Sequence, residues 1–214
     1  TSGWNSGATK YYPYQYSTTT TYYKVGGVYS NSLTGSYANA DWGVFNAISN
    51  GGNSTGQWRV LTSSEWAYLL GTRSASTISG TSNARYTLAT VAGIKGTIIF
   101  PDKITWPNNI ATPALINPVT NASDPGLFSH TTYTAAEWTT LESAGCVFLP
   151  TGGYRSGQTV KNAGVACRYW SSTYIANTSY KEYAYSFRAN ANEIDFDYET
   201  YRYLGIAVRL VHDL

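Results

Sequence analysis

Every helix-start signal in this chain falls before residue 146, and from Cys146 onward the pattern reads as strands. Asn39-Ala40-Asp41-Trp42 opens a first helix, with Trp42, Phe45 and Ile48 at helical spacing and Asn50-Gly51 as a left-handed stop. Thr62-Ser63-Ser64-Glu65 is a capping box followed by Trp66, Leu69 and Leu70, predicting a helix to about Arg73. Thr134-Ala135-Ala136-Glu137 repeats the box ahead of Trp138 and Leu141, with Gly145 as the stop. Trp66 and Trp138 are expected to anchor the core. Gly93–Asp102 reads as a strand ending in a turn, residues 103–132 as a Pro/Asn-rich loop, and residues 1–37 as loops with short strands. Strands are expected over 146–149, 165–171, 183–189, 193–197 and 205–211. In the last, Ile206, Val208 and Leu210 alternate with Ala207, Arg209 and Val211, as for a strand with one face in the core. Helices early and strands late predict an α+β domain: an antiparallel sheet with two to three flanking helices. The 214 residues, 43% of them hydrophobic, fit one domain spanning the chain.

Charge narrows the partners. Charged residues make up 12%, and the net charge of +2 comes from 14 basic and 12 acidic residues with no basic block. That argues against a nucleic-acid groove or an anionic membrane surface. No apolar run approaches the roughly 18 residues of a membrane span. Twenty Tyr beside many Ser, Thr and Asn give the look of an extracellular or virion surface protein. The chain opens at Thr1 and contains no Met, so a processed or truncated chain lacking its natural N-terminal part is expected.

Few residues suggest catalysis. No phosphate-cradling Gly loop, Gly-x-Ser-x-Gly elbow or His-Glu-x-x-His helix occurs. Two His, His130 and His212, are too few and scattered to complete a metal site with Cys146 and Cys167. A nucleophilic Cys with a His base has nothing in the sequence to suggest it. A disulfide fits better, because a hairpin centred near residues 156 and 157 would set Cys146 opposite Cys167. Closing that loop would contribute about 3 kcal/mol in the chain-entropy model. Glu193, Asp195, Asp197 and Glu199 alternate, as for a Ca²⁺ site or paired catalytic carboxylates, although a solvated strand face gives the same pattern. Asn53, Asn121 and Asn177 head Asn-x-Ser/Thr triplets that so Ser/Thr-rich a chain produces by chance.

One bias stands out. Eight Tyr fall between Tyr169 and Tyr203, against 12 in the remaining 179 residues, with Asn, Ser and Asp interleaved. Tyr with small polar residues is the vocabulary of antibody binding loops, where Tyr gives contact area at low entropy cost. A Tyr-rich sheet packing on itself is the competing reading. In 183–189, Tyr183, Tyr185, Phe187 and Ala189 share the expected core face, which leaves Ser186 and Arg188 on the surface. The candidate ligand-binding residues are Arg168, Tyr174, Asn177, Ser179, Tyr180, Ser186, Arg188, Asn190, Asn192, Asp195, Asp197, Tyr201 and Tyr203.

Several motifs carry a family resemblance. Ala40-Asp41-Trp42-Gly43, Asn46–Gly52 and Trp58-Arg59-Val60-Leu61-Thr62-Ser63-Ser64-Glu65-Trp66 closely resemble bacterial "major paralogous domain" surface proteins. So do Phe148–Arg155, Tyr169-Trp170-Ser171-Ser172-Thr173 and the closing Gly205–Val211. That family belongs with the formylglycine-generating-enzyme-like branch of the C-type lectin fold. Within it, the chain looks like a variable protein of a diversity-generating retroelement. The resemblance implies a lectin-like scaffold whose segment 168–203 is randomised at adenines and displayed as a receptor-binding surface. Lys181, Glu182, Glu193 and Glu199 depart from that pattern, because a randomised Asn codon yields neither Lys nor Glu.

The resemblance also bears on catalysis. Formylglycine-generating relatives use a close cysteine pair near their C-terminal strands, and iron-dependent relatives a His cluster; this chain matches neither. It also lacks the Glu-Pro-Asn, Gln-Pro-Asp and Trp-Asn-Asp motifs of calcium-dependent sugar-binding lectins, with only Trp106-Pro107-Asn108 nearby. The expectation is a non-enzyme with no cofactor and no metal. Its partner would be a protein or glycan on another cell or host surface, met at a pilus tip, bacterial cell surface or phage tail, with attachment to pilin or tail subunits open. The rival is a fixed adhesin or pilin module that uses the same surface to pack on a neighbouring subunit.

Overall fold

The computed structural model describes residues 31–33, 35–118, 126–156, 159–175 and 183–213. A 3-10 turn (Gly35–Ala40) leads into a single helical turn α1 (Trp42–Phe45), followed by β1 (Trp58–Val60) and α2 (Ser63–Ala67), which a π-helical turn prolongs to Thr72. Next come β2 (Tyr86–Val91), β3 (Ile94–Ile99), β4 (Thr132–Tyr133), α3 (Ala135–Ser143) and β5 (Val147–Pro150). The remaining strands are β6 (Tyr154–Ser156), β7 (Thr159–Lys161), β8 (Cys167–Tyr174), β9 (Tyr183–Ala189), β10 (Ile194–Tyr201), β11 (Gly205–Ile206) and β12 (Leu210–His212). They form four small sheets, ordered β1-β12, β10-β9-β8, β11-β6-β7 and β4-β2-β3-β5. The fold is α+β and rich in sheet. Among the described residues all strand pairs are antiparallel except β2 with β4.

Both capping boxes form. Thr62 accepts from the Glu65 N–H while the Glu65 carboxylate accepts from the Thr62 N–H, and Thr134 and Glu137 repeat the exchange. The first helix is shorter than its spacing predicts. Asp41, fully buried, accepts from the N–H groups of Gly43 and Val60, which ties the turn onto β1, and the helix ends at Phe45. The Gly93 strand is the second arm of a hairpin whose first arm, β2, carries no clear alternation. Ala92 (φ 49) and Gly93 (φ 83) make its two-residue turn, the backbone hand that matches strand twist.

The expected strand over 205–211 is divided among three sheets. Gly205–Ile206 pairs with β6, the Ala207 carbonyl accepts from Trp170 N–H of β8, and Leu210–His212 pairs with β1. Ile206 faces the core as its alternation predicts, but Val208 is exposed because the chain leaves one sheet for the next there.

The expected disulfide is absent, and Cys146 and Cys167 are free thiols. The hairpin turns close to the expected place, pairing Ser156 with Thr159, but its arms are only three residues long. They part at Gly153 (φ 63), where a Cβ would collide with the Lys161 carbonyl. β5 then joins β3 and β8 joins β9, so the cysteines enter different hydrophobic clusters. Cys167 Sγ donates to the Leu149 carbonyl at 3.1 Å.

The core has two parts. One gathers Tyr133, Leu141, Phe100, Ile98 and Cys146 beneath α3, where Trp138 packs half-buried against Phe148. The other centres on Trp66, which is 0% exposed. Its ring stacks on Phe187 of β9 at 5.1 Å and 19°, and its Nε1 donates to the Trp170 carbonyl of β8 at 3.3 Å. Trp66→Ala is expected to cost about 3–5 kcal/mol, a large part of the stability of a domain this size. Trp138→Ala should cost clearly less, and urea denaturation of the two variants checks the order.

Burial pushes the Cys146 thiol up to about 12 and the Cys167 thiol to about 11, from an ordinary 9.0. A raised folded-state value favours the neutral thiol, so this contribution is whole below pH 9 and declines as pH rises to about 12. Thiol titration should find no reactive Cys in the native protein and two after denaturation. One disulfide and no thiol would contradict the fold.

Candidate functional site

β9 is the middle strand of the C-terminal sheet, and its register places the candidate residues. Arg168, Arg188 and Asp195 stand abreast across β8, β9 and β10, and Trp170, Ser186 and Tyr198 form the next row. The alternate residues Phe187 and Ala189, both fully buried, turn toward Trp66 with Cys167 and Tyr169, as the expected core face requires. Tyr183 and Tyr185 share their side of β9 but lie beyond the core and are half-buried.

Two residues expected on the surface are enclosed. Ser186 is 0% exposed. It stands in register between two much larger aromatic residues, Trp170 and Tyr198, and its hydroxyl bonds the Tyr198 carbonyl and the buried Thr200 hydroxyl. Arg188 has a side chain only 13% exposed, held in an ion pair with Glu193 and set 3.3 Å from the centre of the Tyr198 ring. Neither offers an open contact.

Asn190 builds the hairpin between β9 and β10. Its Oδ1 accepts from the N–H groups of Asn192 and Glu193 at 2.7 and 3.0 Å, an Asx turn that fixes the loop. Asn192 stands exposed at its tip. Asp195 is part-buried, and burial above all raises its pKa; the Asp197 N–H works against that shift and the Asp197 carboxylate with it. Asp197 is exposed and donates its N–H to Asp195 Oδ1 at 3.1 Å.

A bulge between Asp195 and Tyr198 breaks the acidic row. Asp195 stands in the row of Arg188, whereas Glu199 pairs with Tyr185 on the opposite side, so the four carboxylates share no face. Among the described residues no group of three His, Cys, Asp or Glu could hold a metal ion. None of the described helices is long and apolar enough to cross a membrane.

Tyr201 and Tyr203 belong to a second patch. The Tyr201 ring, in a residue 37% exposed, lies 4.1 Å from that of Tyr183 and 5.0 Å from that of Tyr203, a three-ring stack. Because Tyr201 pairs with Tyr183, this stack lies on the Phe187 side of the sheet, opposite the Arg168 row. Tyr174 is half-buried at the bulged end of β8, across from Ala184, and its N–H donates to Ser32 Oγ. Asn177, Ser179 and Tyr180 lie outside the described residues.

Sequence reasoning missed Tyr154, Tyr198 and Glu193 as partners of the arginines. The Arg168 guanidinium carbon lies 4.5 Å from the Tyr154 ring centre and 5.3 Å from that of Tyr198. Tyr198 was visible in the Tyr enrichment, whereas Tyr154 comes from another sheet and had no signal beyond its motif.

No protein-family model, curated protein or solved structure matches the chain.

The site thus separates open positions from enclosed ones. Asn192→Tyr and Asp197→Tyr should shift stability by no more than about 0.5 kcal/mol, as ordinary surface changes do. Ser186→Tyr should cost about 1–3 kcal/mol through overpacking. Thermal melting of the three variants tests the division.

Proposed function

We propose that this chain is a non-catalytic ligand-binding domain whose C-terminal sheet carries a diversified receptor surface. The observation that supports the reading most is the division of labour in β8–β10. Phe187, Ala189, Cys167 and Tyr169 secure one side of the sheet to Trp66, while Asn192, Asp197 and Tyr201 stand exposed along the same hairpin. Side chains at such positions can change without touching the contacts that hold the backbone. Tyr, Asn and Asp there provide contact area and adaptable hydrogen bonding.

The α+β, sheet-rich architecture is compatible with a C-type-lectin-like scaffold of the formylglycine-generating-enzyme-like branch, and the sequence motifs carry that finer assignment. On this reading the chain is a retroelement variable protein displayed at a pilus tip, cell surface or phage tail, with a protein or glycan ligand and no cofactor.

Deep sequencing of the gene across a growing population tests it. Adenine substitutions are expected within codons 168–203, frequent at Asn192, Asp197 and Tyr201 and purged at the buried Ser186, Phe187 and Ala189. A segment as invariant as the rest of the gene would reject diversification and favour a fixed adhesin or pilin module.

A further inference from the structure

Two arginines facing each other on adjacent strands repel, and a sheet holds such a pair stably only when something compensates it. Arg168 and Arg188 are such a pair. Glu193 takes up Arg188 in an ion pair, and Asp195, next in the row, accepts the Asp197 N–H. Among the described residues no carboxylate forms an ion pair with Arg168. Aromatic rings stand against it instead, giving the alternation Tyr154, Arg168, Tyr198, Arg188 through three cation–π contacts. The Nε atoms of both arginines are buried with no hydrogen-bond partner. Burial foremost, and Arg188 beside it, lower the proton affinity of Arg168, so its positive charge is held at a cost that an anion would relieve.

We infer that Arg168 is the anchor for a carboxylate on the ligand, and that the ligand is a protein presenting an Asp or Glu side chain. This inference rests on the reading of the C-terminal sheet as a ligand face. The ion class follows from geometry and charge. Rings stand against the guanidinium, and a planar carboxylate is the group that meets the N–H donors in its plane with two parallel hydrogen bonds. Arg188 is already paired with Glu193, which leaves the single charge of Arg168 to be met, so a singly charged group suits it better than a phosphate dianion. A protein is favoured over an acidic glycan because Tyr154, Tyr198 and Trp170 border the row with half-buried rings, residue types that protein–protein interfaces favour.

The test is an NMR titration of the whole chain labelled with ¹⁵N-arginine, following the side-chain Nε–H signals. The probe is N-acetyl-glutamate N-methylamide, its glutamine analogue is the neutral control, and glucuronate represents an acidic glycan. A saturable shift of the Arg168 signal is expected with the glutamate probe and not with the control. Arg168→Gln should weaken the affinity about tenfold or more, because a neutral amide cannot replace the paired charge-assisted hydrogen bonds, with its melting temperature measured alongside. Should that variant fail to fold, the wild-type titration still decides. No shift at Arg168, an equal shift with the glutamine analogue, or a shift with glucuronate alone would overturn the inference. Its failure is distinct from failure of the receptor reading. A silent Arg168 leaves codon diversification intact, and invariant codons leave the carboxylate titration unchanged.

Discussion

The stack of Trp66 on Phe187 is the contact on which the rest depends. It joins the one helix that a capping box starts in the first half of the chain to the middle strand of the C-terminal sheet. The indole is wholly buried, and its N–H reaches the backbone of β8, so a single side chain touches both strands that carry the arginine row. Dispersion and apolar burial at this junction fix where β8 and β9 lie. Everything on the other side of those strands takes its position from that constraint.

Position then decides chemistry residue by residue. Ser186 and Asp197 belong to the same Tyr-rich segment and are both polar, yet one is sealed and the other meets water. The difference arises from neighbours: Ser186 sits on the central strand between two aromatic residues, and Asp197 sits in the bulge of an edge strand. Arg188 is likewise drawn into structure by Glu193 and Tyr198, while Arg168 meets rings and, among the described residues, pairs with no carboxylate.

Local signals proved legible and long-range choices did not. Capping boxes at Thr62 and Thr134 need only four consecutive residues, and both helices begin where those residues place them. The strand over 183–189 has the predicted bounds, and its alternation identifies Phe187 and Ala189 as core. Pairing is another matter. The turn near residue 157 was readable, but not that its arms would separate at Gly153 into different sheets, and the expected disulfide failed with it. For the same reason the acidic alternation misled: a bulge of one residue reverses which side a side chain takes, and period two cannot show it. Tyr154 joined the site through tertiary structure alone.

That acidic stretch has a consequence of its own. On its β8 side the C-terminal sheet is closed by backbone bonds to distant chain segments, from Leu33 N–H to the Ser172 carbonyl, from Ser172 N–H to the Leu61 carbonyl, and from Trp170 N–H to the Ala207 carbonyl. The opposite border is β10, whose outer backbone groups could template another copy. Asp195, Asp197 and Glu199 lie along that border. Two molecules zipping together there would bring their carboxylates into apposition, and the repulsion opposes stacking into fibres. The carboxylates that resembled a metal site thus place like charge along the border where a further strand would add.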